Sequence, residues 1–236
     1  MAEDPDGPRV AVVTGAASGL GAAIARALTA AGWQVAGLDL RPSGETALGV
    51  EADVTDAGAV RAAVDRVERE LGPVAALVTA AGVYEILPIE DVDEARWHRM
   101  MAVNLSGTAT TCAAVVPRMV ARGQGSVVTI SSDLGVGGSQ GDVHYAASKG
   151  AIVGFTRALA TEVEGTGVAV NTVAPGAADT PMLEADSPWR SRDFLATLPV
   201  QRLVRPGEIA AATLFLLEAG TALSGQVLSP NAGATI

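Results

Sequence analysis

Short runs of β-branched and small aliphatic residues alternate along this chain with longer stretches of helical period. That alternation constrains the fold more than any other feature. "RVAVV" at 9–13 reads as a buried strand. A helix is expected over 19–31, with Ser18 a candidate N-cap and Leu20, Ile24, Ala27, Leu28 and Ala31 at helical spacing. Further strands are expected at 34–40, 49–54, 74–80, 125–132, 167–174 and 225–229. Helices are expected at 56–71, 93–121, 145–164 and 207–219. The connection at 41–48, "RPSGETAL", is too short for a full crossover helix, and residues 176–205 read as irregular and punctuated by proline. Near-continuous apolar strands separated by helices indicate a parallel sheet covered on both faces. Right-handed crossovers then make it a doubly wound α/β sheet, here of seven strands. No linker, repeat or low-complexity tract divides residues 1–236, so a single domain is expected.

Composition narrows the function. Apolar residues make up 49% and aromatic residues only 3%, which suits close packing of helices on a sheet. A net charge of −10 argues against a general nucleic-acid or anionic-membrane surface. No apolar run reaches membrane-spanning length, and "MAEDPDGP" at the start lacks the basic and apolar regions of a signal peptide. A cytoplasmic location is therefore expected. The single cysteine, Cys112, excludes an internal disulfide and lies in an apolar stretch that predicts burial. Two histidines without clustered cysteines predict no metal site.

The segment "VVTGAASGLGAAIARAL" puts Gly15, Gly19 and Gly21 between the first strand and the first helix. Glycines allow a tight turn and a close backbone approach to a pyrophosphate, and the helix N-terminus offers free N–H groups. The spacing is G-x-x-x-G-x-G rather than G-x-G-x-x-G. Asp39 closes the second strand, where a carboxylate can accept hydrogen bonds from an adenosine ribose. It would repel a 2′-phosphate by about 4 kcal/mol at ~4 Å and an effective dielectric near ~20. NAD is therefore expected over NADP, with Arg41 the residue able to reverse that preference. Asp53, with Val54, is expected to close the third strand and meet the adenine, or else to cap the following helix.

Lys149 is the only lysine in the chain, and it follows Tyr145 by four residues. On a helix the two share a face, where an ammonium favours a phenolate. Ser132, ending a strand, could hold a substrate oxygen against the tyrosine. The motifs Thr14-Gly15-x-x-x-Gly19-x-Gly21, Asp39, Asp53-Val54, Ala81-Gly82, Asn104, Ser132, Tyr145-x-x-x-Lys149 and Pro175-Gly176 occur in one order over nearly the whole chain. In this the chain resembles the short-chain dehydrogenase/reductase family, with its Rossmann-type fold. The resemblance implies that Tyr145 exchanges a proton with the substrate oxygen. Lys149 would lower the tyrosine pKa and bind the nicotinamide ribose, and Ser132 would orient the substrate. Asn104 would hold a water in a proton relay. Ser18, Leu20, Pro175, Gly176, Ala178 and Thr180 would join the glycines, Asp39, Asp53, Val54, Ala81 and Gly82 around the cofactor.

Departures from the family pattern are equally legible. Thr79-Ala80-Ala81-Gly82 stands where an Asn-Asn-Ala-Gly is usual, and the end of the last strand, "LSPNAGATI", lacks the usual Asp-Gly-Gly. Asp133 is expected to face either the pocket or a backbone turn. His144, next to the tyrosine, is open to lining the active site but is expected rather to face solvent or cap a helix, and His98 to sit on the surface or at an interface. The resemblance makes residues 176–205 a substrate lid, with Met182, Leu183, Trp189, Phe194 and Leu195 closing an apolar pocket; a fixed packed helix is the other reading. The expected activity is NAD-dependent hydride transfer between nicotinamide and a secondary alcohol or ketone. "SSD" at 131–133 and the short loop after Asp39 resemble, more weakly, the branch that oxidises cyclic dihydrodiols. A ketoacyl-thioester reductase is the enzymatic alternative, and a non-catalytic nucleotide sensor the alternative from another class. Homotetramers, or dimers, are what the resemblance implies for assembly.

Overall fold

The computed structural model describes residues 9–42 and 44–234. The acidic segment "MAEDPDGP", read above for targeting signals, lies outside the described residues. The strands are β1 (Val10–Thr14), β2 (Gln34–Asp39), β3 (Leu48–Glu51), β4 (Val74–Thr79), β5 (Gly125–Ile130), β6 (Val168–Val173) and β7 (Val227–Leu228). The helices are α1 (Gly19–Ala30), α2 (Ala57–Glu70), α3 (Glu94–Met101), α4 (Gly107–Arg122), α5 (Leu134–Gly137), α6 (Val143–Glu162), α7 (Arg192–Thr197) and α8 (Pro206–Glu218). All seven strands pair in parallel in the order β3-β2-β1-β4-β5-β6-β7.

Alternation along the strands divides the core in two. Val10 and Val12 of β1 pack with Val64 and Val67 of α2 and Val115 and Met119 of α4 on one face. Ala11 and Val13 pack with Ile24 and Leu28 of α1 and Ile209 and Leu216 of α8 on the other. These side chains are almost wholly removed from water, and apolar burial on both faces is the main force joining the layers. Cys112 lies in the first cluster, where burial pushes its thiol up to about 12. That is the inert, packed cysteine the sequence predicted.

The structure corrects several expected boundaries. The strand expected over 49–54 ends at Glu51, because Asp53 Oδ1 accepts from Thr55 N and Thr55 Oγ1, each at 2.8 Å, and turns the chain. The helix cap falls to Asp56, whose carboxylate takes Gly58 N at 2.7 Å and Ala59 N at 3.0 Å. The single helix expected over 93–121 is broken by a π-helical turn, Ala102–Ser106, which carries Asn104. Periodicity alone cannot register one inserted residue. The last strand keeps only Val227–Leu228 of the expected 225–229, since Pro230 has no N–H to continue the ladder. Residues 176–205 are not wholly irregular: a 3₁₀ turn at Pro188–Arg190 leads into α7. As expected, none of the described residues between β2 and β3 is helical.

Candidate functional site

The chain winds outward from β1 to β3, then returns to β4 and winds the other way. Loops at the C-terminal ends of β1 and β4 therefore part and leave a crevice at the switch point. The cleft there has a volume of about 1130 Å³. Its floor is the glycine loop. Gly15 has φ +68°, and a Cβ on it would lie 2.8 Å from Ala81 Cα. A Cβ on Gly21 would lie 2.1 Å from the Gly15 carbonyl oxygen, so neither position admits a side chain. Thr14 Oγ1 accepts from Ala81 N at 3.1 Å and ties the two loops together.

Ser18 occupies the N-cap of α1 in extended backbone, but its side chain makes no capping bond, a correction to the expected cap. No acidic residue stands in the first turn of α1, so its positive end faces the cleft uncompensated. Leu20 lines the cleft here, and Thr180 packs against Gly19. Asp39 closes the outer end. Its Oδ2 accepts from Ala17 N at 3.1 Å and its Oδ1 from Arg41 N at 3.2 Å. Arg41 lines the same end, as do Asp53 and Val54.

At the inner end α6 brings Tyr145 and Lys149 to one wall, opposite Pro175, Gly176 and Ala178. Lys149 Nζ lies 5.7 Å from the Tyr145 ring centroid and donates to the Ile130 carbonyl at 2.9 Å. Burial pulls the lysine pKa down to about 8. Burial pushes the Tyr145 phenol up, its hydrogen bond with Ser132 opposes this, and the charges of Asp133 and Asp142 add to it. In the protein by itself the phenol is thus held up rather than down. Ser132 is buried and donates to Asp133 Oδ1 at 3.2 Å.

Asn104 does not line the cleft but lies behind it, fully buried. Its side chain clamps the backbone of Val83, taking Val83 N at 2.8 Å and giving Nδ2 to Val83 O at 3.1 Å and Ser148 Oγ at 3.0 Å. A Cβ on Gly82 would meet Asn104 Oδ1 at 3.2 Å and Lys149 Nζ at 3.6 Å, so these two groups flank one small space. At Thr79, the departure from the family pattern, Oγ1 is buried with no hydrogen-bond partner among the described residues, so it does not brace the neighbouring strand.

Met182, Leu183, Trp189 and Phe194 line the cleft, but Leu195 does not. Trp189 and Phe194 meet edge to face with centroids 4.8 Å apart. The sequence reading overlooked Tyr84. Its ring packs edge-on to Tyr145 at 4.7 Å, and its hydroxyl accepts from Trp189 Nε1 at 2.6 Å. Its place two residues after Gly82 was the available signal. Asp133 lines the pocket and also sits in the turn, satisfying both earlier readings, and burial raises its carboxyl to about 6. His144 is the clearest error: it is fully buried, with Nε2 3.9 Å from Glu85 Oε2. Its helix begins at Val143, not 145, and α6 turns that side chain inward toward the loop after β4. His98 is on the surface as expected, beside Glu94.

Comparison with known proteins gives these residues a family. The sequence profile of the short chain dehydrogenases matches residues 9–191. The chain belongs to the short-chain dehydrogenase/reductase family. This short-chain dehydrogenase is 39% identical over 240 residues to a cis-4-hydroxycyclohexanecarboxylate dehydrogenase of Sinomonas cyclohexanicum, covering 96% of each chain. It is 39% identical to a D-threitol dehydrogenase of Mycolicibacterium smegmatis, over 97% of this chain and 93% of the other. A 3-oxoacyl-[acyl-carrier-protein] reductase of Escherichia coli shares 34% identity, over 95% and 96%. The ligand-free aldohexose dehydrogenase of Thermoplasma acidophilum superposes with a TM-score of 0.89 at 30% identity, over 98% of this chain and 96% of that one. The enzyme is therefore an oxidoreductase of alcohols and ketones that uses a nicotinamide cofactor. The cleft fits such a group: a glycine floor that excludes side chains, an open helix N-terminus and a carboxylate at the far end. Among the described residues no His, Cys, Asp and Glu cluster could hold a metal ion, and no helix is long and apolar enough to cross a membrane.

Proposed function

We propose that this enzyme is an NAD(H)-dependent dehydrogenase of secondary alcohols, acting on cyclic alcohols or dihydrodiols. The observation carrying this reading is one cleft with Tyr145, Lys149 and Ser132 at its inner end and Asp39 at its outer end. Asp39, oriented by Ala17 N, accepts the adenosine ribose hydroxyls. The backbone from Gly15 to Gly21 and the α1 N-terminus hold the pyrophosphate, with Ser18 and Thr180 beside it. Asp53 and Val54 border the adenine, while Ala81, Gly82, Pro175, Gly176 and Ala178 border the remainder. When bound, the nicotinamide accepts or delivers the hydride and, oxidised, brings positive charge beside Tyr145.

Tyr145 takes or gives the substrate proton at its hydroxyl. Lys149, still largely an ammonium at neutral pH, favours the phenolate and anchors the nicotinamide ribose. Ser132 orients the substrate oxygen. Asn104 holds the relay water in the space it shares with Lys149. Met182 and Trp189 border the substrate, and residues 176–205 act as a lid that Trp189 pins through Tyr84. Homotetramers assemble on α4 and α6.

The match to the cyclohexanecarboxylate dehydrogenase supports a cyclic alcohol. A 3-oxoacyl-thioester reductase is the second reading, favoured by the 34% identity to such an enzyme and by Arg41 at the cleft mouth. The test is nicotinamide reduction with NAD or NADP against dihydrodiols, cyclic alcohols and 3-hydroxyacyl thioesters. Turnover with NAD on cyclic substrates is expected. Turnover with NADP on thioesters alone would put the second reading first.

A further inference from the structure

Thr180 to Leu183 form a turn that reaches both the glycine loop and the substrate end of the cleft. Thr180 stands beside the loop, its Cβ 3.6 Å from where a Cβ on Gly19 would be, and Met182 lines the substrate end. One backbone bond closes this turn, from Leu183 N to Thr180 O at 3.1 Å, and Pro181 has no N–H to add another. A single hydrogen bond does not offset the entropy of ordering the residues it joins. Arg190 supplies the rest. Its Nε donates to Leu183 O at 3.1 Å, its Nη2 to Thr180 O at 3.3 Å and its Nη1 to Asp179 Oδ1 at 2.8 Å. One planar guanidinium thus spans both end carbonyls of the turn and the carboxylate before it. The arginine is itself anchored, because it ends the 3₁₀ turn Pro188–Arg190, whose Trp189 bonds to Tyr84 at 2.6 Å.

Resting on the cofactor reading above, we infer that Arg190 is a positioning residue for the dinucleotide: it holds the Thr180–Leu183 turn closed, so that Thr180 already stands beside the glycine loop when the cofactor arrives. Arg190 does not line the cleft, and its guanidinium is committed to acceptors of its own chain. It therefore acts on the cofactor through Thr180, not as a charge on the pyrophosphate. The ion pair is the lesser part of the clasp, since the Asp179 side chain is 62% exposed and exposed pairs contribute little. The two carbonyls give the arginine its role. Without it the turn opens, and cofactor affinity falls in proportion to the fraction of time the turn is closed.

The test is a fluorescence titration with NADH, or with NADPH if the wild type binds it more tightly. It compares the wild type, Arg190→Ala, Arg190→Lys, Thr180→Ala and the double variant Arg190→Ala/Thr180→Ala. A turn closed about one-tenth of the time raises the Kd of Arg190→Ala about tenfold. Arg190→Lys keeps the charge and the reach to Asp179 but cannot span two carbonyls, so its Kd should rise at least about threefold. Thr180→Ala should weaken binding by a factor comparable to Arg190→Ala. The double variant should bind within about threefold of the weaker single variant, because both changes remove the same contact. A variant that is merely less folded would lower the number of binding sites and leave Kd unchanged. If Arg190→Ala does not fold, Arg190→Lys, which preserves charge and approximate length, decides. A wild-type Kd in either Arg190 variant, or losses that multiply in the double variant, would overturn the inference while wild-type binding leaves the cofactor reading intact. A wild type that binds neither dinucleotide would overturn both.

Discussion

Replacing Lys149 with methionine separates a working ammonium from a structural one. The lysine is buried, and burial lowers its pKa from 10.5 to about 8. At neutral pH the charged form therefore costs the fold about 3 kcal/mol relative to the unfolded chain, at roughly 1.4 kcal/mol per pKa unit. Methionine has similar length, no charge and enough flexibility to fill the same channel. It does remove the donor from the Ile130 carbonyl, at a cost of about 1–3 kcal/mol. The two effects nearly cancel or leave the variant ahead, so its melting temperature near pH 7 should equal the wild type's or exceed it by a few degrees. The pH dependence has a definite sign. Between about pH 8 and 10.5 the unfolded chain holds more protons at this site than the folded one, so wild-type stability gains on the variant as pH rises. The penalty is full below about 8 and absent above the ordinary lysine value. Turnover of any accepted alcohol should nevertheless fall by on the order of 10³. Melting curves from about pH 6 to 10, beside nicotinamide absorbance assays, measure both. A variant that melts more than about 8 °C lower at every pH would refute the reasoning and make Lys149 a structural residue.

Other perturbations test separate parts of the cleft. Lys149→Arg keeps the charge but replaces a compact ammonium with a planar fork, and most turnover should be lost in initial-rate assays. Asp39→Ala removes the repulsion of a 2′-phosphate, so the ratio of NAD to NADP efficiency should fall at least about tenfold, with Arg41 supplying the new contact. Gly15→Ala forces a left-handed φ and a 2.8 Å clash with Ala81 backbone, and thermal unfolding should report a loss of about 2–4 kcal/mol. Trp189→Phe removes the 2.6 Å bond to Tyr84 while keeping an aromatic ring; KM should rise more than kcat falls, and proteolysis near 183–195 should become faster.

The sheet was legible because strand composition and helical period are repeated signals that every crossover reinforces. The cofactor end was legible because its parts are backbone geometry and charge: glycines that nothing else can replace, and a carboxylate at a strand end. Lys149 stood out by its scarcity and by its place four residues after Tyr145. What escaped were features that depend on one-residue geometry or on distant packing. The π turn at Ala102–Ser106 shifts the helical register by a single insertion and re-aims Asn104, and no periodic pattern marks it. His144 looked like an ordinary polar residue at a helix start, yet the helix begins earlier and turns it inward. Tyr84 and Trp189 meet across 105 residues of sequence, a separation that spacing rules cannot bridge. Asp133 could be placed in the turn or in the pocket from its neighbours, and the structure gives it both places.

The most direct test of the proposed chemistry pairs Tyr145→Phe with the wild type. NADH binding, followed by fluorescence titration, should stay within a few-fold, because the phenyl ring keeps its place against Tyr84. Alcohol-dependent NAD reduction should fall by about 10²–10⁴ through loss of the proton-transferring hydroxyl. A Phe variant that binds NADH and still turns over near the wild-type rate would contradict the assignment of Tyr145 as acid and base.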